Sequence, residues 1–177
     1  MSSFTFQTAP NILFEPGAAA KIGALVSGLG ARRVFLVTDK GVRGAGLTDA
    51  AEQSIRAAGG ETIVFDDVTA DPPSHVVEAA AALCVAEKCD AVVSVGGGSA
   101  LDTAKLAAYL ALTPDRLEDI YGVGLAKGRR LPLILAPTTA GTGSEVTPIS
   151  IVTTPSRRRR ASSRQNSSPT GPCSTRS

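Results

Sequence analysis

The chain has 177 residues, with 43% hydrophobic and 19% charged side chains and a formal net charge of +2, which suits one globular domain of ordinary size. No apolar run approaches the roughly 18 residues of a membrane span, and no basic residue precedes Lys21, so the start does not resemble a secretory signal. These features exclude a membrane protein and predict a cytoplasmic one without a membrane partner.

Strand and helix signals alternate along the chain. Strands are predicted at residues 4–7 and 11–14, forming an N-terminal β-hairpin, and then at 33–39, 61–65, 91–95 and 131–136. Helices are predicted at residues 18–30, 47–58, 76–88 and 99–112, with a short helical turn near 115–122. This order predicts an α/β fold, a Rossmann-like open parallel sheet with helices on both faces. Ligands of such sheets bind beyond the carboxyl ends of the strands.

The cysteines and the histidine do not form a metal-binding pattern. Cys84, Cys89 and Cys173 lack CxxC spacing, so we interpret them as buried or solvent-facing thiols. His75, the single histidine, opens a predicted helix, where a surface position is expected. We therefore predict no metal ligands and assign no catalytic residue.

A glycine-rich turn connects the strand at 91–95 to the next helix. Gly96, Gly97, Gly98 and Ser99 direct backbone N–H groups and the positive end of the helix towards one point, which suits an anion. The sequence is neither a P-loop nor a GxGxxG fingerprint. A tight turn with a purely structural role is the alternative.

Asp39 ends the strand at 33–39, where a carboxylate can accept hydrogen bonds from both hydroxyls of an adenosine ribose. It would repel the 2′-phosphate of NADP, so the position favours NAD. A helix-capping or turn aspartate is the alternative.

Asp102 and Lys105 lie three positions apart on one face of the helix that follows the glycine turn. Near a bound ligand, Asp102 could accept from N–H or hydroxyl groups. The alternative is an ion pair on a solvated face.

The segment from Pro137 to Thr147 follows the last core strand and is rich in small and hydroxyl-bearing residues. Such a segment can approach a ligand closely and donate several hydrogen bonds. The alternative is an ordinary serine and threonine turn.

Two motifs together carry a family resemblance. GGGSALDTAK (96–105) and PTTAGTGSEVT (137–147) resemble the iron-dependent, group III alcohol dehydrogenases, and the similarity runs from about Phe4 to about Thr154. The second motif is typical of the alcohol dehydrogenase branch rather than of the related glycerol dehydrogenases and maleylacetate reductases.

The resemblance implies a site for NAD in residues 1–155. Gly97, Gly98 and Ser99 would hold the pyrophosphate and Asp39 the adenosine ribose, while the nicotinamide side would be lined by Asp102, Thr138, Thr139 and Thr142. It also implies an all-helical C-terminal domain whose Asp and three His bind Fe²⁺, which acts on an alcohol or aldehyde substrate. We expect this chain to lack that domain and to have weak or no activity. It would then expose an apolar face and associate, for instance as a homo-oligomer.

Residues 156–177 differ from the rest, with six Arg, seven Ser and no acid. We predict a disordered Arg/Ser-rich tail, and favour a reading-frame shift or truncation as its origin because the family pattern continues at this position. Asp71 also departs from the family, which usually has Asn before Pro72.

The function predicted from the sequence is the NAD-binding part of an iron-containing alcohol dehydrogenase, an oxidoreductase. Two alternatives stay open. One is a non-catalytic nucleotide-binding module. The other is a nucleic-acid binder that uses the basic tail, a partner that we do not favour.

Overall fold

The structure is a computed structural model that describes residues 8–154 and the backbone of residues 158–163. The predicted strand at 4–7, Cys173 and the remaining tail positions lie outside the described residues. No helix in the described part is long and apolar enough to cross a membrane.

The described strands and helices include every element predicted between residues 18 and 136, together with several that were not predicted. The strands are β1 (Arg33–Val37), β2 (Glu61–Phe65), β3 (Ala91–Gly96), β4 (Gly122–Ala126), β5 (Leu133–Pro137), β6 (Ile149–Thr153) and β7 (Arg158–Ser163). The α-helices are α1 (Ile22–Gly28), α2 (Lys40–Gly44), α3 (Asp49–Ala57), α4 (Ser74–Ala86) and α5 (Gly98–Leu110). Short 3₁₀ helices span Ala18–Lys21 and Leu117–Ile120.

Four strands form a parallel sheet in the order β2-β1-β3-β5. Alternate residues of β1 face opposite sides: Phe35 and Val37 pack in the core with α4 and α5, while Val34 and Leu36 pack in the core with α1 and α3. Burial on both faces explains the unbroken apolar run of this strand. The predicted α/β fold, with a parallel sheet between helices, is confirmed.

A second, smaller sheet covers the far side of α5. Its order is β4-β7-β6, with β6 antiparallel and β4 parallel to β7. Val152 of β6 packs in a third core with Leu106 and Tyr109 of α5. Consequently α5 lies between two sheets, and each of its residues from 100 to 109 is buried. The sequence did not predict this layer.

Two sequence-based expectations differ from the structure. Residues 11–14, predicted as a hairpin strand, have no regular secondary structure, and Phe14 is 98% exposed. Residues 158–163, expected in a disordered tail, form β7. Backbone hydrogen bonds explain this strand, because pairing with β4 and β6 needs donors and acceptors rather than apolar side chains.

Candidate functional site

A cleft of about 530 Å³ opens at the carboxyl ends of the parallel strands. From β1 the chain continues to β2 on one side, while β3 lies on the other side of β1, so the strand order reverses between β1 and β3. Crevices at such a switch point are where open α/β sheets bind ligands. The cleft is lined by Asp39, Val68, Thr69, Ala70, Gly97, Gly98, Ser99, Ala100, Thr139 and Thr142.

The glycine turn forms the floor of this cleft. Gly97 is the extended N-cap residue of α5, and the helix begins at Gly98, so the first N–H groups of a 13-residue helix have no acceptor within the helix. A Cβ on Gly97 would lie 3.6 Å from Thr139 Oγ1, inside the cleft. A Cβ on Gly98 would lie 3.1 Å from Thr142 Cγ2. Glycine therefore keeps these N–H groups accessible and lets the threonine segment approach.

Asp39 caps a helix, the role that the sequence analysis gave as the alternative, and it also lines the cleft. Its Oδ1 accepts a hydrogen bond of 2.9 Å from Val42 N and caps α2. Its Oδ2 lies on the side of Gly96, 3.8 Å from where a Cβ of that glycine would be. The residue also lines the cleft, so one oxygen holds the helix while the other faces the glycine turn.

The segment after β5 forms one wall of the cleft. Thr138 N donates to Gly96 O at 2.9 Å, which fixes the start of the segment to the end of β3. Thr139 and Thr142 line the cleft, whereas Thr138 is exposed and lies outside the lining.

The segment after β2 forms the opposite wall, which the sequence analysis missed. Thr69 and Ala70 line the cleft, and Asp71 N donates to Ser99 Oγ at 3.3 Å. The signal was available in principle, since the end of β2 must lie at the same edge as the end of β1. Asp71 has a φ of 48°, a conformation that a side chain disfavours.

Asp102 and Lys105 do not lie on a solvated face. Each is 5% exposed, and Lys105 Nζ lies 2.9 Å from Asp102 Oδ1. Asp102 is not among the residues lining the cleft. Burial lowers the pKa of Lys105, and the negative charge of Asp102 opposes that shift. The helical spacing of apolar residues indicated that this face of α5 would be in contact with water. The second sheet covers it instead.

Thr38 and Ser94 are two further residues that the sequence analysis missed. Both are fully buried, and their hydroxyls bond to backbone carbonyls across β1 and β3, directly below the cleft. A lone hydroxyl in an otherwise apolar buried strand was the available signal, because a buried polar group needs a partner.

The described residues hold no cluster of three or more His, Cys, Asp and Glu side chains that could bind a metal. His75 is exposed on α4, as expected. Cys84 and Cys89 are buried free thiols, and burial raises the pKa of Cys84 to about 12. The described part of the chain therefore does not fit the Fe²⁺ site that the resemblance implies.

A parallel sheet with a cleft at its switch point and a glycine turn at the start of a helix is the arrangement typical of dinucleotide-binding α/β domains. A model of the iron-containing alcohol dehydrogenase family matches residues 9–170, and the chain belongs to this family. The match continues beyond Thr154, so the predicted end of the resemblance was too early.

Similar proteins support this assignment. Long-chain-alcohol dehydrogenase 1 of Geobacillus thermodenitrificans (strain NG80-2) is 41% identical over 80% of this chain and 38% of its own length. The crystal structure of a 1,3-propanediol oxidoreductase has a TM-score of 0.87 and 32% identity over 92% of this chain and 43% of that one. The sulfoacetaldehyde reductase of Bifidobacterium kashiwanohense, solved in complex with NAD⁺, has a TM-score of 0.80 and 34% identity over 92% of this chain and 44% of its own. This chain thus spans less than half the length of these proteins.

Proposed function

We propose that residues 1–155 form an NAD-binding domain and that the cleft between β1 and β3 is its cofactor site. The N–H groups of Gly97, Gly98 and Ser99 hold the pyrophosphate, and Asp39 accepts from the hydroxyls of the adenosine ribose. The nicotinamide end lies along Thr138, Thr139 and Thr142, with Asp102 supporting that wall from inside the protein.

One observation carries the proposal: the only titratable group among the cleft-lining residues, Asp39, lies opposite a bare glycine turn at a helix N-terminus. Such a surface offers N–H donors for phosphate oxygens and one carboxylate for hydroxyl groups. Its volume of about 530 Å³ falls within the roughly 300–1,000 Å³ typical of cofactor clefts. The residues present therefore fit a dinucleotide.

For the whole protein, we propose oxidoreductase activity in which hydride passes between an alcohol and NAD. When bound, the nicotinamide ring would accept hydride in its oxidised form and donate it in its reduced form. This chain's own residues bind and orient the cofactor. A relative that acts on long-chain alcohols and one that acts on 1,3-propanediol support an alcohol or aldehyde as the substrate class.

A non-catalytic nucleotide-binding role for the isolated chain is the second candidate. The lining of the cleft favours this role. Among the described residues that line it, Asp39 is the sole acid or base. Saturable NAD binding without alcohol-dependent NADH formation supports this role. NADH formation by the purified chain contradicts it.

We propose the cytoplasm as the location. The free, buried state of Cys84 and Cys89 supports it, because reducing compartments keep thiols unpaired.

The test is calorimetric titration of the purified chain with NAD. We expect one saturable site, with binding weakened in Gly97→Ala, whose added methyl group occupies the cleft floor. Equal NAD binding by the two proteins would place the cofactor elsewhere.

A further inference from the structure

The ion pair inside α5 is connected to the cleft through the backbone of residues 144–151. Lys105 Nζ donates to Ser144 O at 2.9 Å and to Thr147 O at 3.2 Å. It also donates to Ile149 O and contacts Asp102 Oδ1. A single buried ammonium group thus gathers three carbonyls that are separated in sequence.

Asp102 holds the far end of the same segment. Its Oδ2 accepts a hydrogen bond of 2.9 Å from Ile151 N, at an amide of β6. Its other oxygen, Oδ1, accepts no hydrogen bond from the described residues and interacts with Lys105 Nζ through the ion pair alone. Asp102 therefore contributes to the site by holding backbone.

The segment held in this way begins in the wall of the cleft. Ser144 N donates to Thr142 Oγ1 at 3.4 Å. The Cβ position of Gly98 lies 3.2 Å from Thr142 Cβ and 3.3 Å from Ser144 Oγ. Ser144 thus connects the segment held by Lys105 to Thr142, which lines the cleft opposite Gly98.

Stability alone does not account for a buried ion pair at this position. Desolvation of two charges offsets much of their attraction, and apolar residues of similar size often stabilise a core equally well. The pair instead fixes the position of the segment, because its hydrogen bonds go to specific backbone atoms. Glu145, the other carboxylate acting on Lys105, adds further negative charge beside it.

We propose that Lys105 and Asp102 are positioning residues that set the distance between the Thr142–Ser144 wall and the glycine turn, and so determine affinity for the nicotinamide half of the dinucleotide. This inference rests on the proposed function. It predicts that the adenosine half, held at Asp39 on the other side of the glycine turn, is bound independently of the pair.

The experiment compares NAD with AMP as calorimetric probes. The variants are Lys105→Met and the double variant Asp102→Asn with Lys105→Met, which leaves no charge of the pair buried and keeps an acceptor for Ile151 N. Glu61→Gln is the matched control, because it disrupts an ion pair with Arg33 at the opposite edge of the sheet. All titrations use protein whose folded state is verified by circular dichroism.

For the double variant we expect NAD affinity to fall about tenfold, comparable with the loss when partners that orient a ligand-contacting group are removed, with AMP affinity unchanged. The control should bind both probes as the wild type does. Unchanged NAD affinity in the folded double variant would overturn the inference. So would an equal loss of NAD and AMP affinity, since a general loosening of the fold affects both. Failure of the wild type to bind either probe would instead overturn the proposed function.

Discussion

Thr38 and Ser94 connect β1 and β3 in opposite directions: Thr38 Oγ1 donates to Val95 O at 2.7 Å, and Ser94 Oγ donates to Val37 O at 2.9 Å. Both side chains are fully buried. They join the two strands whose ends flank the cleft, next to the positions of Asp39 and Gly97. The geometry of the proposed site therefore depends on hydroxyl groups within the core.

Thr38→Val should destabilise the protein by about 1–2 kcal/mol, because it keeps the shape of the side chain and removes a buried hydrogen bond. The free energy of unfolding in urea measures the loss. Thr62→Val on β2 is the matched control, at a partly exposed position, where a change within about 0.5 kcal/mol is expected. Equal losses of unfolding free energy at the two positions would show that the hydrogen bond to Val95 O does not stabilise the protein measurably.

Gly97→Ala should weaken NAD binding about tenfold or more, which corresponds to about 1.4 kcal/mol. The fold should tolerate the change, because the nearest atom to the added Cβ is 3.6 Å away, an ordinary contact. Gly28→Ala in α1 is the control, since nothing lies within 4 Å of its Cβ position. That control should bind NAD normally. Normal NAD binding by Gly97→Ala would remove the turn from the site.

Asp39→Asn should reduce the preference for NAD over NADP, because it removes the charge that repels a 2′-phosphate. Asparagine caps helices as well as aspartate does, so stability should hold. Asp39→Ala should in addition lose about 1 kcal/mol of stability through the missing cap. Titration of each variant with both cofactors measures the preference. An unchanged ratio of affinities in Asp39→Asn would contradict the ribose assignment.

The buried thiol of Cys84 should make stability fall as the pH rises above 9. Burial raises the pKa of this thiol from 9.0 to about 12, so the unfolded chain ionises while the folded protein still keeps the proton. Each pH step through that window therefore favours unfolding. Cys84→Ala should show a smaller fall of the urea midpoint between pH 7 and pH 10.5 than the wild type. Parallel falls in both proteins would contradict the assignment.

The central sheet could be predicted from sequence because its inner strands, β1 and β3, are apolar runs buried on both faces. The edge strand β2 (Glu61–Phe65) is only partly buried, but its β-branched and aromatic residues were enough to predict its bounds without error. The position of the site followed from the same rule, since Asp39 and Gly97 each follow a strand end.

The second sheet could not be predicted in this way. β4 (Gly122–Ala126) contains two glycines and only one buried residue among its five, and β7 (Arg158–Ser163) carries three arginines. Backbone pairing holds these strands together, and backbone pairing leaves no pattern in side chains. The burial of Asp102 and Lys105 was missed for the same reason, because that sheet is what covers them.

The most direct test of the cofactor site is a ¹H–¹⁵N correlation spectrum of the labelled 18.0 kDa chain recorded during titration with NAD. We predict saturable shifts at the amides of Gly97, Gly98, Ser99, Thr139 and Thr142, and none at Glu61 on the opposite edge of the sheet. A dispersed spectrum that does not change with NAD, or whose largest shifts lie away from the cleft, would contradict the account.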